Sequence, residues 1–243
     1  MIKKAVIFDL WNTLVLKKGK NLTTAIAEYY SLPYDSVYEW IRLSSLAMDK
    51  TDKYYYVKMI CQANDINFKE QDRVFFDNLF DNYYSECALI DGAEEILRKL
   101  KIKNYKIGIL SNSSEISYNV IEHFKLNDLV DDIVLSCEVG YLKPDPRIFQ
   151  KSLQNLNLKE DEVVMVGDKI TTDVLGAKMM GIDIIYFNKE EKENNSNPNL
   201  SFVAIINSLN EVLNILNNFE DANNEIFSIN IHSRKQLGTK VIN

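Results

Sequence analysis

Apolar and polar positions follow two different rhythms along this chain. Short, uninterrupted apolar runs rich in β-branched residues recur at Ala5 to Phe8, Lys106 to Leu110, Ile133 to Leu135, Val163 to Val166 and Ile184 to Phe187. Runs of that length and composition predict strands buried on both faces. Between the later runs, apolar residues return at helical spacing, at Ala93 to Leu100, Ile116 to Phe124, Pro146 to Leu156 and Asp173 to Met180. A last pair, a strand at Phe202 to Ile206 and a helix at Leu209 to Phe219, closes the series. The alternation predicts an α/β fold, a doubly wound parallel sheet with helices on both faces. Ligands of such sheets lie beyond the carboxyl ends of the strands, so chemistry is expected in the residues that follow each apolar run.

From about Asn21 to Ala88 the alternation stops and only helical periodicity remains, near Thr23 to Tyr30, Asp35 to Met48, Tyr54 to Ala63 and Glu70 to Cys87. This stretch reads as an inserted α-helical unit. Its aromatics, among them Tyr29, Tyr38, Trp40, Tyr55, Phe75, Phe76, Phe80 and Tyr84, are expected to pack a small bundle that has little other area to bury. The segment from Glu190 to Pro198 has the composition of a solvated loop, and residues 220–243 read either as a loose tail or as one added edge strand.

Composition narrows the class. A chain of 243 residues can bury a large core. Its net charge of -7 is spread without a long basic run, so neither nucleic acid nor an anionic membrane is an expected partner. Asp9 interrupts the first apolar run too early for a signal peptide, and no segment approaches the ~20 apolar residues of a membrane span. Cys61, Cys87 and Cys137 are an odd, scattered set that fits reduced thiols in a cytoplasmic protein. His123 and His232 are too few and too far apart for a zinc site or a catalytic triad.

Four polar clusters follow four of the strands. Asp9 directly follows the first; taken alone it could equally be a turn or capping residue. Ser111-Asn112-Ser113 follows the second, where the hydroxyls could cap a helix starting near Ser114 or face a ligand. Lys143 precedes Pro144-Asp145-Pro146, in which Asp145 is expected as a helix cap and Pro146 as the first helical residue. Gly167-Asp168 and, five residues on, Asp173 place two carboxylates where a hard cation wants oxygen ligands. Together these residues make a coherent reaction centre. A carboxylate attacks phosphorus only if the phosphoryl charge is offset, and a cation on Asp9 and Asp168, with Lys143, supplies that offset. Ser111 would hold the remaining oxygens, and Lys143 would pair with Asp9 and keep it ionised.

The aspartate followed by Thr13-Leu14, the serine after the second strand, Lys143-Pro144-Asp145-Pro146-Arg147-Ile148-Phe149 and the Gly167-Asp168 to Asp173 segment occur here in the order seen in the haloacid dehalogenase superfamily of hydrolases, which the chain resembles. The resemblance implies a core of residues 1–16 and 89–219 and a helical cap of residues 17–88. It implies Asp9 as nucleophile with Lys143 as its catalytic partner, and Mg2+ served by Asp9, the Trp11 carbonyl, Asp168 and Asp173. Ser111, Asn112, Trp11, Thr13 and Arg42 would border a small-molecule substrate. It leaves a homodimer open.

One position departs from the pattern. Phosphatases of this superfamily carry a second aspartate two residues after the nucleophile, and here that residue is Trp11, which cannot serve as the general acid. The expected activity is a Mg2+-dependent hydrolase acting through an aspartyl-phosphate on a small phosphorylated metabolite. A 2-haloacid dehalogenase is the rival: it too has an aromatic there, because halide leaves without a proton, and Ser111-Asn112-Ser113-Ser114 and Arg42 resemble its halide-side residues. Arg42 reads more readily as part of a solvated helix face with a snorkelling stem. A phosphate-binding regulatory protein with weak turnover is the third reading.

Overall fold

The computed structural model describes residues 2–44, 52–114, 116–188 and 202–219. The calls on residues 190–198 and 220–243, the end of the helix predicted to reach Met48, and His232 lie outside them. Six parallel strands form the sheet, in the order β5-β4-β1-β6-β7-β8: β1 (Ala5–Phe8), β4 (Lys106–Ser111), β5 (Asp132–Leu135), β6 (Val163–Gly167), β7 (Asp183–Phe187) and β8 (Ala204–Ile206). All six were legible as apolar runs. β1 is central because its four side chains are wholly buried and alternate between two apolar layers. Val6 and Phe8 join the layer that contains α5 (Ala93–Ile102), α6 (Ile116–His123) and the helix at 212–219. Ala5 and Ile7 join the layer with α8 (Pro146–Leu156) and α9 (Leu175–Met180). The chain runs outward from β1 through β4 and β5 on one side, then returns to β6 on the other. That reversal opens a crevice at the carboxyl end of β1, and backbone hydrogen bonding from Asp9 N to the Val166 carbonyl at 2.9 Å keeps the strand ends level there.

Between β1 and α5 the described residues form four helices, α1 (Leu22–Tyr30), α2 (Tyr34–Ser44), α3 (Tyr55–Ala63) and α4 (Glu70–Asn82). Asn21 caps α1 by accepting from Thr24 N at 2.8 Å. Aromatic packing holds the group, with the Tyr29 and Phe75 rings stacked at 4.0 Å and Phe76 against Phe80 at 5.8 Å. Tyr38 does not join this packing: it is 38% exposed and lies stacked beside Tyr34, a departure from the bundle role expected of it. Tyr84 is half-buried against the core and stacks on His123, the last residue of α6.

The helix predicted to run from Glu70 to Cys87 stops at Asn82. A 3-10 turn, Tyr83–Glu86, follows, and then β3 (Cys87–Leu89) pairs antiparallel with β2 (Val15–Lys17). Each strand of this ribbon has three residues, too few for a period to register in the sequence. Both chain crossings into and out of the helical insertion therefore pass through one ladder. A second adjustment concerns the helix predicted from Asp173: it begins earlier, as a π-helical turn at Ile170–Val174 that runs into α9. Asp145 and Pro146 take the cap and first helical position as expected, Asp145 accepting from Arg147 N at 2.9 Å. Of the three cysteines, all free thiols, Cys61 and Cys137 are buried and Cys87 half-buried. Among the described residues no helix is long and apolar enough to cross a membrane.

α9 lies close against α8 because Gly176 has no side chain: a Cβ there would fall 2.3 Å from the buried Phe149 ring and 3.2 Å from the Pro144 backbone. Gly176→Ala is expected to lower stability by about 1–3 kcal/mol, the usual cost of overpacking. Urea unfolding checks it; a midpoint equal to the parent's would show that the layer yields.

Candidate active site

At the carboxyl end of β1 the chain breaks away in a tight turn. Leu14 N and Val15 N both bond to the Leu10 carbonyl at 2.9 Å, and Asn12 adopts a positive φ of 60°, a conformation asparagine tolerates better than most residues. This turn leaves Asp9 in the crevice, 7% exposed. Lys143, arriving from the loop before α8, is also buried, and its ammonium spends its three hydrogens on Asp9 Oδ1 at 2.6 Å, Asp173 Oδ1 at 2.7 Å and the Leu110 carbonyl at 2.7 Å. Asn112 fixes the backbone of that lysine with a pair of hydrogen bonds: its Oδ1 accepts from Lys143 N at 2.7 Å and its Nδ2 donates to the Lys143 carbonyl at 2.9 Å. Asn112 therefore positions the lysine, a role its place after β4 did not reveal.

Asp173 is committed on both oxygens, to Lys143 through Oδ1 and to Lys169 N through Oδ2 at 3.0 Å. It fits only because residue 167 is glycine, since a Cβ there would lie 2.6 Å from the aspartate side chain. Asp168 is half-buried. Carboxylate oxygens of Asp9, Asp168 and Asp173 come within 4.8 Å of one another.

Three carboxylates against one ammonium leave the cluster over-supplied with negative charge. The sequence predicts that Lys143 keeps Asp9 ionised; the pair forms, but burial raises the Asp9 pKa more than the lysine lowers it, and Asp173 and Asp168 add to the rise, so that it reaches about 7. Burial and Asp173 push Asp168 up to about 6. Burial pulls the Lys143 ammonium down, but Asp173 and Asp9 overcome it and the net shift is upward. Buried oxygen donors that repel one another fit a hard divalent cation, which would relieve the repulsion.

Ser111 Oγ is buried beside Asp9's strand and accepts from Ser113 Oγ at 2.7 Å, while Ser113 is tied to Ser136 through its N–H and carbonyl. Trp11 is half-buried: its indole Nε1–H donates to Ser117 Oγ at 3.2 Å, and its ring meets Tyr83 edge-on at 6.1 Å. A cavity of about 680 Å³ opens above Asp9, bounded by these loops and by the Tyr34, Tyr38, Ile41 and Arg42 side of α2. Arg42 reaches its rim but is exposed and paired with Glu39, Nη2 to Oε2 at 2.8 Å. Thr13 stands apart. It is fully buried, lies off the cavity wall, and its Oγ1 has no hydrogen-bond partner, so the structure does not place it against a substrate. Lys169, Ser117 and Tyr34 line the cavity and were missed. The i,i+4 spacing of Tyr34 and Tyr38 was the one signal available for that wall, and bundle packing explained it equally well.

A buried carboxylate at the end of the central parallel strand, a buried lysine against it and an acidic loop at the neighbouring strand end gather at the sheet's carboxyl edge. The chain belongs to the haloacid dehalogenase-like hydrolase family, whose sequence pattern matches residues 3–181. It is 26% identical over 197 residues, 76% of this chain and 80% of the relative, to glyceraldehyde 3-phosphate phosphatase of Pyrococcus furiosus. It is also 25% identical over 225 residues, 88% of this chain and 94% of the relative, to (S)-2-haloacid dehalogenase 4A of Burkholderia cepacia. Among solved structures, a haloacid dehalogenase-type phosphatase from Thermococcus onnurineus shares the fold with a TM-score of 0.64 at 22% identity, covering 88% of this chain and 97% of that one.

Lys143→Met leaves Asp9 and Asp173 buried without their cation, a defect expected to lower stability by roughly 3–5 kcal/mol at neutral pH. A carboxyl whose folded pKa is raised, as Asp9's is to about 7 from 3.8, costs nothing below 3.8, where both states are protonated, destabilises progressively as pH rises from there, and reaches its full cost above about 7. The deficit of the variant should therefore shrink as pH falls toward 4, as read from denaturant midpoints across that range; a deficit independent of pH would show that the lysine's packing, not its charge, matters.

Proposed function

We propose that the protein is a Mg2+-dependent phosphatase that acts on a small phosphorylated metabolite through an aspartyl-phosphate, with residues 17–88 serving as the cap over the site. The observation that carries this reading is the carboxylate of Asp168 next to Asp9. A site meant to run without a cation gains nothing from a further negative charge beside its nucleophile, whereas a phosphoryl-transfer site needs one there to hold a metal. Mg2+ held by Asp9, the Trp11 carbonyl and Asp168, with Asp173 close by, would offset the charge on the phosphoryl oxygens. Asp9 attacks phosphorus in line. Ser111 donates its hydroxyl hydrogen to a non-bridging oxygen, Lys143, fixed from behind by Asn112, offsets the phosphoryl charge through its ammonium while keeping its own hydrogen bonds, and the helical insertion excludes water while the phosphoryl group moves.

The second reading, a 2-haloacid dehalogenase that forms an aspartyl ester, has Trp11 in its favour, since no proton donor follows the nucleophile and a halide requires none. Asp168 counts against it. The two readings differ in metal dependence and in the bond broken. Inorganic phosphate should be released from p-nitrophenyl phosphate in the presence of Mg2+, be lost on chelation, and vanish in Asp9→Asn. Chloride release from 2-chloropropionate that persists with a chelator would instead establish the dehalogenase. Tight binding of phosphate analogues with neither reaction above background would mark a binding protein.

A further inference from the structure

Around Asp9, the lysines, the indole and the acidic residue on the α2 side that line the cavity are each turned to another partner. The Lys143 ammonium has donated all three hydrogens, two of them to carboxylates. The Trp11 indole N–H is given to Ser117, and the edge contact with Tyr83 holds the ring in place. Glu39, the acidic residue on the cap side of the cavity, is engaged with Arg42, and Lys17 with Glu86. No histidine lines the cavity among the described residues, and the Lys169 ammonium is turned to the Tyr38 ring, 5.9 Å from its centroid. The wall facing Asp9 is instead aromatic: Trp11 and Tyr83 on one side, the stacked and exposed Tyr34 and Tyr38 rings on α2.

Resting on the phosphatase reading, we propose that the substrates are phosphate esters and anhydrides whose leaving group departs as a stable anion, namely aryl and acyl phosphates, with the planar part of that group lying against Tyr34 and Tyr38. The step balances without an acid. Asp9 forms its bond to phosphorus as the bond to the leaving oxygen breaks, the electron pair leaving as phenolate or carboxylate. Water then attacks phosphorus, the bond to Asp9 breaks with its electron pair returning to the carboxylate, and both water hydrogens leave on dihydrogen phosphate, which loses one to solvent. An alkyl ester would have to expel an alkoxide, which this site does not help.

Phosphate release in Mg2+ is measured for the whole chain with acetyl phosphate, a series of substituted phenyl phosphates and ethyl phosphate. The expected result is a kcat/KM that falls steeply as the leaving group becomes more basic, with ethyl phosphate roughly 10²- to 10⁴-fold below phenyl phosphate, the usual size of a missing acid contribution. Trp11→Asp should raise ethyl phosphate turnover and flatten the series, and Tyr38→Ala should raise KM for phenyl phosphate more than for acetyl phosphate. Ethyl and phenyl phosphate turned over within about tenfold of each other would overturn this inference, because another group, Lys169 first, is then acting as the acid; the phosphatase reading would stand. A Trp11→Asp variant that folds and leaves the slope unchanged would overturn it as well. No Mg2+-dependent phosphate from any member overturns the phosphatase reading itself. The parent's series decides the matter even if the Trp11 variant does not fold.

Discussion

A buried ammonium shared between two carboxylates is the constraint on which the rest of this site depends. Lys143 Nζ lies within 2.7 Å of atoms from three different strand-end segments: Asp9 after β1, the Leu110 carbonyl of β4 and Asp173 of the π-helical turn after β6. One nitrogen thus sets the separation of loops that are far apart in sequence. Burying such a pair is expensive, and an apolar replacement of the whole group would often be as stable or more so. Its use here is positional. The double hydrogen bond from Asn112 to the Lys143 backbone ties the lysine's loop to the end of β4 a second time, and Asp173 packs closely against Gly167 of β6.

That rigidity coexists with an electrostatic deficit. Asp9, Asp168 beside it and Asp173, which also holds the lysine, are all acidic, and burial makes their mutual repulsion stronger than it would be in water. A proton on one carboxyl, or a cation held among the three, would relieve that repulsion. The Asp9 carboxyl, lifted to about 7, is then a measure of how much positive charge the chain leaves to be supplied from outside.

What could be read from the sequence follows the range over which each signal acts. Continuous apolar runs mark β1, β4, β5, β6 and β7 because burial on both faces forces a composition that no helix face imitates so briefly, while β8, at the edge, keeps an apolar run although Ile205 is exposed. Asp145 and Pro146 could be placed to the residue, since capping is decided by two neighbouring side chains. The β2–β3 ribbon was hidden because three-residue strands carry no period and owe their pairing to partners seventy residues away. The strand-end residues Asp9, Lys143, Asp168 and Asp173 do converge, but the cost of that convergence, a carboxyl pushed up rather than held down, depends on burial depth and on all four charges at once. Thr13 shows the opposite error: it sits in a family-like motif yet faces the interior, and the Leu10 turn that directs it there is a backbone event the sequence does not spell out. Ser117 was invisible for a similar reason, because which helix face meets Trp11 is settled only when α6 packs.

The ribbon also has a mechanical meaning. Because the chain leaves the sheet at Val15–Lys17 and returns at Cys87–Leu89 in adjacent, hydrogen-bonded strands, the four helices are joined to the sheet along a single line and not at two separate anchor points. A body attached along one line has a preferred axis of rotation, and side chains far from that line sweep the widest arc. Tyr34 and Tyr38 on α2 line the cavity, with the Lys169–Tyr38 contact as a point of touch on the opposite bank. Small torsions in six backbone residues would thus be geared up into a change of cavity width at the aromatic wall, while the spacing among Asp9, Lys143 and Asp173, all on the sheet side of the axis, stays as it is.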